Sequence, residues 1–92
     1  MNPDLQRLLD SLSRREDVPH RETILACIDE SRDLAGHNEE GVAFENLCQM
    51  LFEWDFPLKK EDYATIEQLG RHYQFDESTW SFLTKLFDST PS

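Results

Sequence analysis

The sequence predicts an all-α protein, a compact bundle of about five short helices. Apolar residues recur at intervals of three and four along most of the 92-residue chain. No segment alternates apolar and polar residues in the way that a half-buried strand does. The stretches between the periodic segments are short, and helices joined by short loops pack as a bundle. A chain of this length predicts a single helical domain over residues 1–92, with a frayed tail at about 88–92.

The first predicted helix begins at Asn2, a good N-cap residue, with Pro3 at the first helical position. Its end is expected near residues 13–15, because the two arginines there suit the negative end of a helix dipole. Four leucines share one face of this helix and predict its buried side: Leu5, Leu8, Leu9 and Leu12.

The second predicted helix runs from about Pro19 to Ala35. Gly36 is expected to close it by adopting a positive φ angle, as glycines commonly do at the ends of helices. The apolar face consists of Ile24, Leu25, Ile28 and Leu34, with Cys27 alongside.

The third predicted helix runs from about Glu39 to Trp54, with Asn38 as its N-cap and Pro57 as the stop signal. Its inward stripe consists of Phe44, Leu47, Cys48 and Leu51. A polar stripe lies on another face and consists of Glu45, Gln49 and Glu53.

Two further helices complete the expected bundle. The fourth runs from Lys59 or Lys60 to Tyr73, and the fifth is capped by Asp76 and reaches about Phe87. The fourth presents a core face of Tyr63, Ile66, Leu69 and Tyr73. In the fifth, one face is shared by Trp80, Leu83 and Phe87.

The formal net charge is −10, which argues against two classes of partner. Nucleic acids and anionic membrane surfaces both require basic side chains to meet their phosphates. The charge is concentrated, because residues 29–55 contain eight acids and one arginine and therefore carry −7 of the total. A basic protein partner is the natural complement of such a segment.

The N-terminus predicts a cytoplasmic protein. Asp4 stands where a secretory signal would have basic residues, and no run approaches the ~20 apolar residues of a membrane span.

Cys27 and Cys48 have apolar neighbours, which predicts buried, reduced thiols, although a disulfide between them stays open.

No pattern of residues predicts an enzyme, a cofactor or a metal site. The three histidines, His20, His37 and His72, are isolated, and no HxxxH or CxxC spacing occurs. A glycine-rich phosphate loop and a GxSxG nucleophile motif are both absent from the sequence. Pairs of carboxylates are common, but a solvated helix face is their ordinary explanation.

The second half of the chain resembles bacterial immunity proteins of the MafI family. The likeness extends from Gly41 to Phe87 and is carried by Gly41, AFENLC at 43–48, LFEWD at 51–55, IEQLG at 66–70 and Trp80. The resemblance implies a stoichiometric inhibitor that binds a cognate toxin domain, often a nuclease, in the cytoplasm. It implies no catalytic residue and no cofactor.

Charge and resemblance together predict an interface with a basic toxin domain. The candidate contacts are Asp29, Glu30, Asp33, Glu45, Gln49, Glu53 and Asp55. Two other classes stay open at this point: a small acidic helical adaptor for a different protein, and a small enzyme that uses a carboxylate site. The sequence leaves the oligomeric state undetermined.

Overall fold

The computed structural model describes residues 2–87, and of Phe87 the backbone alone. The helices are α1 (Pro3–Ser13), α2 (Arg21–Gly36), α3 (Glu40–Glu53), α4 (Lys60–His72) and α5 (Thr84–Phe87). Two 3₁₀ turns, Glu77–Thr79 and Ser81–Leu83, separate α4 from α5. No strand occurs between residues 2 and 87, so the predicted all-α fold class is confirmed. The tail at 88–92, predicted to fray, lies outside the described residues.

The helices enclose one cluster of buried apolar side chains. α2 packs along α3, α1 packs against α2 and α4, and the 3₁₀ turns pack on α3 and α4. Asn2 caps α1 as predicted, because its Oδ1 accepts hydrogen bonds from the backbone N–H groups of Asp4 (2.7 Å) and Leu5 (3.4 Å). The four leucines of α1 are buried, and so are Phe44, Leu47, Cys48, Leu51, Phe56, Ile66, Leu69, Trp80 and Leu83.

Three consecutive helices end in the same way, and none of them uses glycine. Asn38, Asp55 and Gln74 follow α2, α3 and α4 with φ angles of 64°, 49° and 64°. Each starts a pair of backbone hydrogen bonds that folds the chain back onto the last turn of its helix. In every pair the acceptors are backbone carbonyl oxygens. After α2, Asn38 N–H donates to Ala35 and Glu39 N–H to Leu34; after α3, Asp55 N–H donates to Phe52 and Phe56 N–H to Leu51. After α4, Gln74 N–H donates to Arg71 and Phe75 N–H to Gly70.

The predictions for the junction of α2 and α3 were wrong at two residues. Gly36 is the last residue of α2 and its φ angle is not positive. Asn38 takes the left-handed conformation instead, which asparagine tolerates better than most residues. The N-cap of α3 is Glu39, whose side chain makes no capping hydrogen bond. The predicted start of α2 was also early, because His20 has a φ angle of 57° and the helix begins at Arg21.

The predicted continuous helix from Asp76 to Phe87 was also wrong. The Asp76 carboxylate does cap, but it accepts from the Ser78 backbone (3.4 Å) and hydroxyl (2.8 Å) at the start of a 3₁₀ turn. A 3₁₀ helix has three residues per turn, so Trp80 and Leu83 stay on the same side and are both buried. Ser78, Thr79 and Ser81 contribute little intrinsic preference for an α-helix. The side chain of Phe87 lies outside the described atoms.

Candidate partner-binding site

The seven predicted contact residues are all exposed, and they lie on two neighbouring helices. They are Asp29, Glu30 and Asp33 on α2, Glu45, Gln49 and Glu53 on α3, and Asp55 in the turn after α3. Burial first, and then the charges of Glu30 and Glu53, raise the pKa of the Cys27 thiol. Asp29 and Asp33 are four residues apart on the side of α2 that faces away from its buried residues. Glu30 and Glu53 therefore both act electrostatically on the Cys27 thiol, whereas Asp29 and Asp33 face away from the buried side of α2.

The negative charge of residues 29–55 is not neutralised by the arginine of that segment. Arg32 is the single Lys or Arg between residues 29 and 55, and its Nη2 lies 2.6 Å from Oδ1 of Asp10 in α1. His37 lies beside Asp33, whose carbonyl and carboxylate raise the pKa of the imidazole. α3 itself contains no basic residue. Its exposed side therefore presents an unneutralised negative potential to an approaching molecule.

A groove lies between α2 and α3, beside these acids. Its volume is about 300 Å³. Six residues line it: Cys27, Glu30, Ser31 and Leu34 of α2, and Asn46 and Met50 of α3. Three of these side chains are apolar and three are polar, so the groove offers both packing surface and hydrogen-bonding groups.

The two cysteines differ more than the sequence predicted. Both thiols are free. Cys48 is buried, and burial together with the charge of Glu45 raises its pKa to about 12. Cys27 is only partly buried, because it lines the groove rather than the core, so the prediction that it is buried was wrong. A raised pKa is the opposite of what activates a nucleophilic thiol.

Sequence reasoning missed two exposed apolar residues on α3. Val42 is 48% exposed and Phe52 is 43% exposed, and they are the exposed large hydrophobic side chains among the described residues. Both lie on the outer side of α3, ten residues and therefore roughly 15 Å apart along the helix. The Phe52 ring meets the Phe82 ring edge-on, with 5.0 Å between centroids. Their exposure could have been predicted from the sequence, because helical spacing places both residues on the side of α3 opposite the buried Leu47.

A second cleft, of about 240 Å³, lies between α1 and α4. It is lined partly by Asp4, Arg7, Glu61 and Asp62, and Arg7 is already paired with Asp4. Asp62 is buried and accepts hydrogen bonds from the Lys59 N–H (3.2 Å) and the Ser11 hydroxyl (3.5 Å). Its carboxylate is therefore occupied with holding the start of α4 against α1. Within residues 2–87, no group of three or more His, Cys, Asp and Glu side chains is placed to hold a metal ion.

None of the helices described between residues 2 and 87 combines the length and the apolar character needed to cross a lipid bilayer. The resemblance to MafI immunity proteins stays a prediction. Comparison with family models, with curated proteins and with solved structures finds no match to this chain.

Proposed function

We propose that this protein is an immunity protein that binds and neutralises a cognate bacterial toxin domain. The observation that carries the proposal is the exposed acidic surface that residues 29–55 form on α2 and α3, because Arg32, the one arginine of that segment, is paired with Asp10 of α1. A toxin that cuts nucleic acid needs a basic surface to hold phosphates. An acidic inhibitor is complementary to that surface, and complementary potentials speed association. The resemblance to MafI proteins supports the same conclusion.

In this proposal the inhibitor acts stoichiometrically in the cytoplasm and performs no reaction. The charged contacts are Glu30, Glu45 and Glu53, with Asp55 at the end of α3 and Gln49 between the acids. Asp29 and Asp33 lie on another side of α2, so they steer the encounter at longer range. Val42 and Phe52 add apolar surface, which interface centres favour over charge.

The test is binding to the product of the adjacent gene, with its catalytic residues inactivated. We expect a tight one-to-one complex whose association rate falls as salt is added. Reversing three acids together, Glu30→Lys, Glu45→Lys and Glu53→Lys, should slow association at least about tenfold. Stopped-flow fluorescence at two salt concentrations measures both effects.

A matched control reverses three exposed acids outside α2 and α3: Glu16→Lys, Glu61→Lys and Glu77→Lys. Both triple variants change the net charge equally, so only the position of the charges differs between them. Equal slowing by the two triples would mean that net charge alone steers the partner. Absence of any complex with a basic domain would contradict the proposed immunity function.

An adaptor for a different protein is the second candidate. The observation that favours it is the exposure of Val42 and Phe52, which suits any protein partner and does not require a toxin. Growth of cells that express the active adjacent gene product separates the two candidates. Protection that is lost with the Glu30, Glu45 and Glu53 triple variant supports immunity, and growth that never depends on this protein supports the adaptor.

A further inference from the structure

The outer side of α3 carries a stripe of four side chains with an apolar residue at each end. Val42, Glu45, Gln49 and Phe52 follow one another at intervals of three, four and three residues, the spacing that keeps side chains on one side of a helix. All four are exposed, and the two end residues are the exposed large hydrophobic side chains of residues 2–87. Apolar residues scattered singly on a surface need no explanation, whereas two that share one stripe of one helix indicate a contact surface.

The Phe52 end of this outer stripe is the larger and better held of the two. The Phe52 ring meets the Phe82 ring edge-on, with 5.0 Å between centroids. Phe82 is partly buried and packs against the core. This contact restricts the rotamers of Phe52 before anything binds, so a partner that packs on the ring loses little additional side-chain entropy. An aromatic ring that is both exposed and held in place is typical of an interface anchor.

The centre of the outer stripe favours a basic partner. Glu45 contributes a carboxylate, and Gln49, about one turn further along, contributes an amide oxygen that also accepts hydrogen bonds. α3 contains no lysine or arginine that could neutralise Glu45. A basic side chain between the two would donate to both, whereas an apolar segment would desolvate the carboxylate without pairing it. A second copy of this chain is disfavoured as the occupant, because each copy carries a net charge of −10.

The partner segment that fits the outer stripe is itself a helix. The backbone N–H and C=O groups in the middle of α3 are hydrogen-bonded within the helix, so its outer side offers side chains alone. An extended segment lying there would take its own backbone groups out of water and find no backbone partner in return. A helix satisfies its backbone internally, and the same residue spacing on a facing helix places four side chains against the four of the stripe.

We propose that the outer stripe of α3 binds a basic α-helix of the partner protein. The contact face of that helix has an apolar residue at each end and lysine or arginine between them. The apolar residues pack on Val42 and on the Phe52–Phe82 pair. The basic residues donate to the Glu45 carboxylate and the Gln49 amide oxygen. The inference rests on the proposed function only for the identity of the partner, because a synthetic peptide tests the stripe without a toxin.

The first experiment titrates the full chain with an alanine-based helical peptide that carries leucine, arginine, arginine and leucine at the spacing of the outer stripe. The control peptide has the same composition, with these four residues placed on different sides of its helix. Amide chemical shifts should change at Val42, Glu45, Gln49 and Phe52, and the control should bind at least about fivefold more weakly. Equal affinity for the two peptides, or shifts spread evenly over all exposed acids, would overturn the proposal.

Single substitutions locate the peptide on the outer stripe. Phe52→Ala and Glu45→Gln should each weaken peptide binding at least about fivefold. Val42→Ala should weaken it severalfold and keeps the proposal testable if Phe52→Ala disturbs the fold, because Val42 is exposed and alanine favours a helix. Glu16→Gln removes an equal charge outside α2 and α3 and should leave the affinity unchanged. If Glu16→Gln weakened binding as much as Glu45→Gln, net charge rather than the stripe would be responsible.

Sedimentation of the free chain distinguishes a basic helix from a second copy as the occupant of the outer stripe. We expect a monomer at both low and high salt, because the chain lacks the basic groups that its own acids would need. A dimer that added salt strengthens and that Phe52→Ala dissociates would overturn the proposal, because the stripe would then be an interface between copies.

The complex with the toxin domain separates this inference from the proposed function. Val42→Ala and Phe52→Ala should each speed dissociation of that complex severalfold and leave the association rate nearly unchanged, because neither alters a charge. A complex that dissociates at the wild-type rate with both variants would keep the immunity function and refute the outer stripe as its binding site. No complex, together with binding of the arginine peptide at the stripe, would refute the immunity function and keep the site.

Discussion

The hydroxyl of Tyr73, just beyond the end of α4, donates a 2.7 Å hydrogen bond to Oε1 of Glu40 at the start of α3. The same oxygen accepts the backbone N–H of Asn2 at 3.0 Å, before the first residue of α1. One carboxylate therefore joins the ends of three helices. These two donors lower the pKa of Glu40 below its usual range, and burial and the same bond raise the pKa of Tyr73.

The substitution Tyr73→Phe should lower the free energy of unfolding by about 1 kcal/mol, because the partly buried carboxylate of Glu40 loses one of its hydrogen-bond donors. The ring and its packing near Phe44 are retained, so the change reports the hydroxyl. Urea denaturation at neutral pH measures it. A Tyr73→Phe protein as stable as the wild type would mean that the bond contributes nothing.

The contribution of Glu40 should disappear in acid. Its pKa in the folded protein is lowered from the usual 4.5. The stabilisation is therefore fully present above pH 4.5 and is lost as the pH falls through the lowered value. The difference in unfolding free energy between the wild type and Glu40→Gln should be largest near pH 7 and shrink below that window. A difference that stayed constant from neutral pH to about pH 3 would contradict this assignment.

Gly70→Ala should be among the most damaging small substitutions in the core. A Cβ atom at Gly70 would lie 2.3 Å from two ring atoms of Trp80, whose side chain is 1% exposed and cannot move aside. Overpacking of this kind typically costs about 1–3 kcal/mol and here exceeds the gain in helix propensity of about 1 kcal/mol. Thermal unfolding followed by circular dichroism measures the loss.

The Trp80→Leu background keeps that prediction testable if Gly70→Ala fails to fold. Trp80→Leu leaves a cavity, and adding Gly70→Ala fills part of it. The double variant should therefore be at least as stable as Trp80→Leu alone. A double variant about 1–3 kcal/mol less stable than Trp80→Leu would show that the indole does not determine the need for glycine.

Gly36→Ala should stabilise the protein. Gly36 is the last residue of α2, its φ angle is not positive, and a Cβ there would meet no heavy atom within 4 Å. Alanine should therefore raise the free energy of unfolding by about 0.5–1 kcal/mol. The urea midpoint should rise with an unchanged slope. Destabilisation would mean that Gly36 adopts the left-handed conformation that its position in the sequence suggests.

Gln74→Gly should also be stabilising, because here a residue with a Cβ atom occupies a positive φ angle that glycine adopts more easily. Gln74 has a φ angle of 64°, a left-handed conformation that costs a residue with a Cβ atom about 1–2 kcal/mol relative to glycine. Part of this is offset by the greater freedom of glycine in the unfolded chain, so we expect a net gain of up to about 1 kcal/mol. Asn38→Gly is the matched comparison and should gain less, because asparagine tolerates this conformation. A midpoint lower than that of the wild type would contradict the prediction.

The core of α1, α3 and α4 could be predicted from the sequence because apolar spacing on a helix is a local property. Leu5 and Leu9 are four residues apart, so they face the same side whatever they pack against. Phe44 and Leu51, seven apart, follow the same rule. Their burial was predicted correctly without any knowledge of the neighbouring helices.

The helix ends were predicted less well, because several residues there compete for the same backbone conformation. Gly36 and Asn38 both suit a left-handed angle, and only the hydrogen bonds to Ala35 and Leu34 select Asn38. The fifth predicted helix was wrong for a related reason. The local spacing of Trp80 and Leu83 allows either an α-helix or a 3₁₀ turn, and the structure has 3₁₀ turns on both sides of Trp80, whose ring packs on Gly70.

The sequence by itself determined the helical fold class, the excess of acid between residues 29 and 55 and most of the core, because composition and helical periodicity are local. Only the tertiary structure decided which residues of α2 and α3 share a surface, because contacts across the two helices depend on how they are rotated against each other. That rotation places Glu30 and Glu53 within electrostatic range of Cys27 and forms the groove that Cys27, Leu34 and Met50 line.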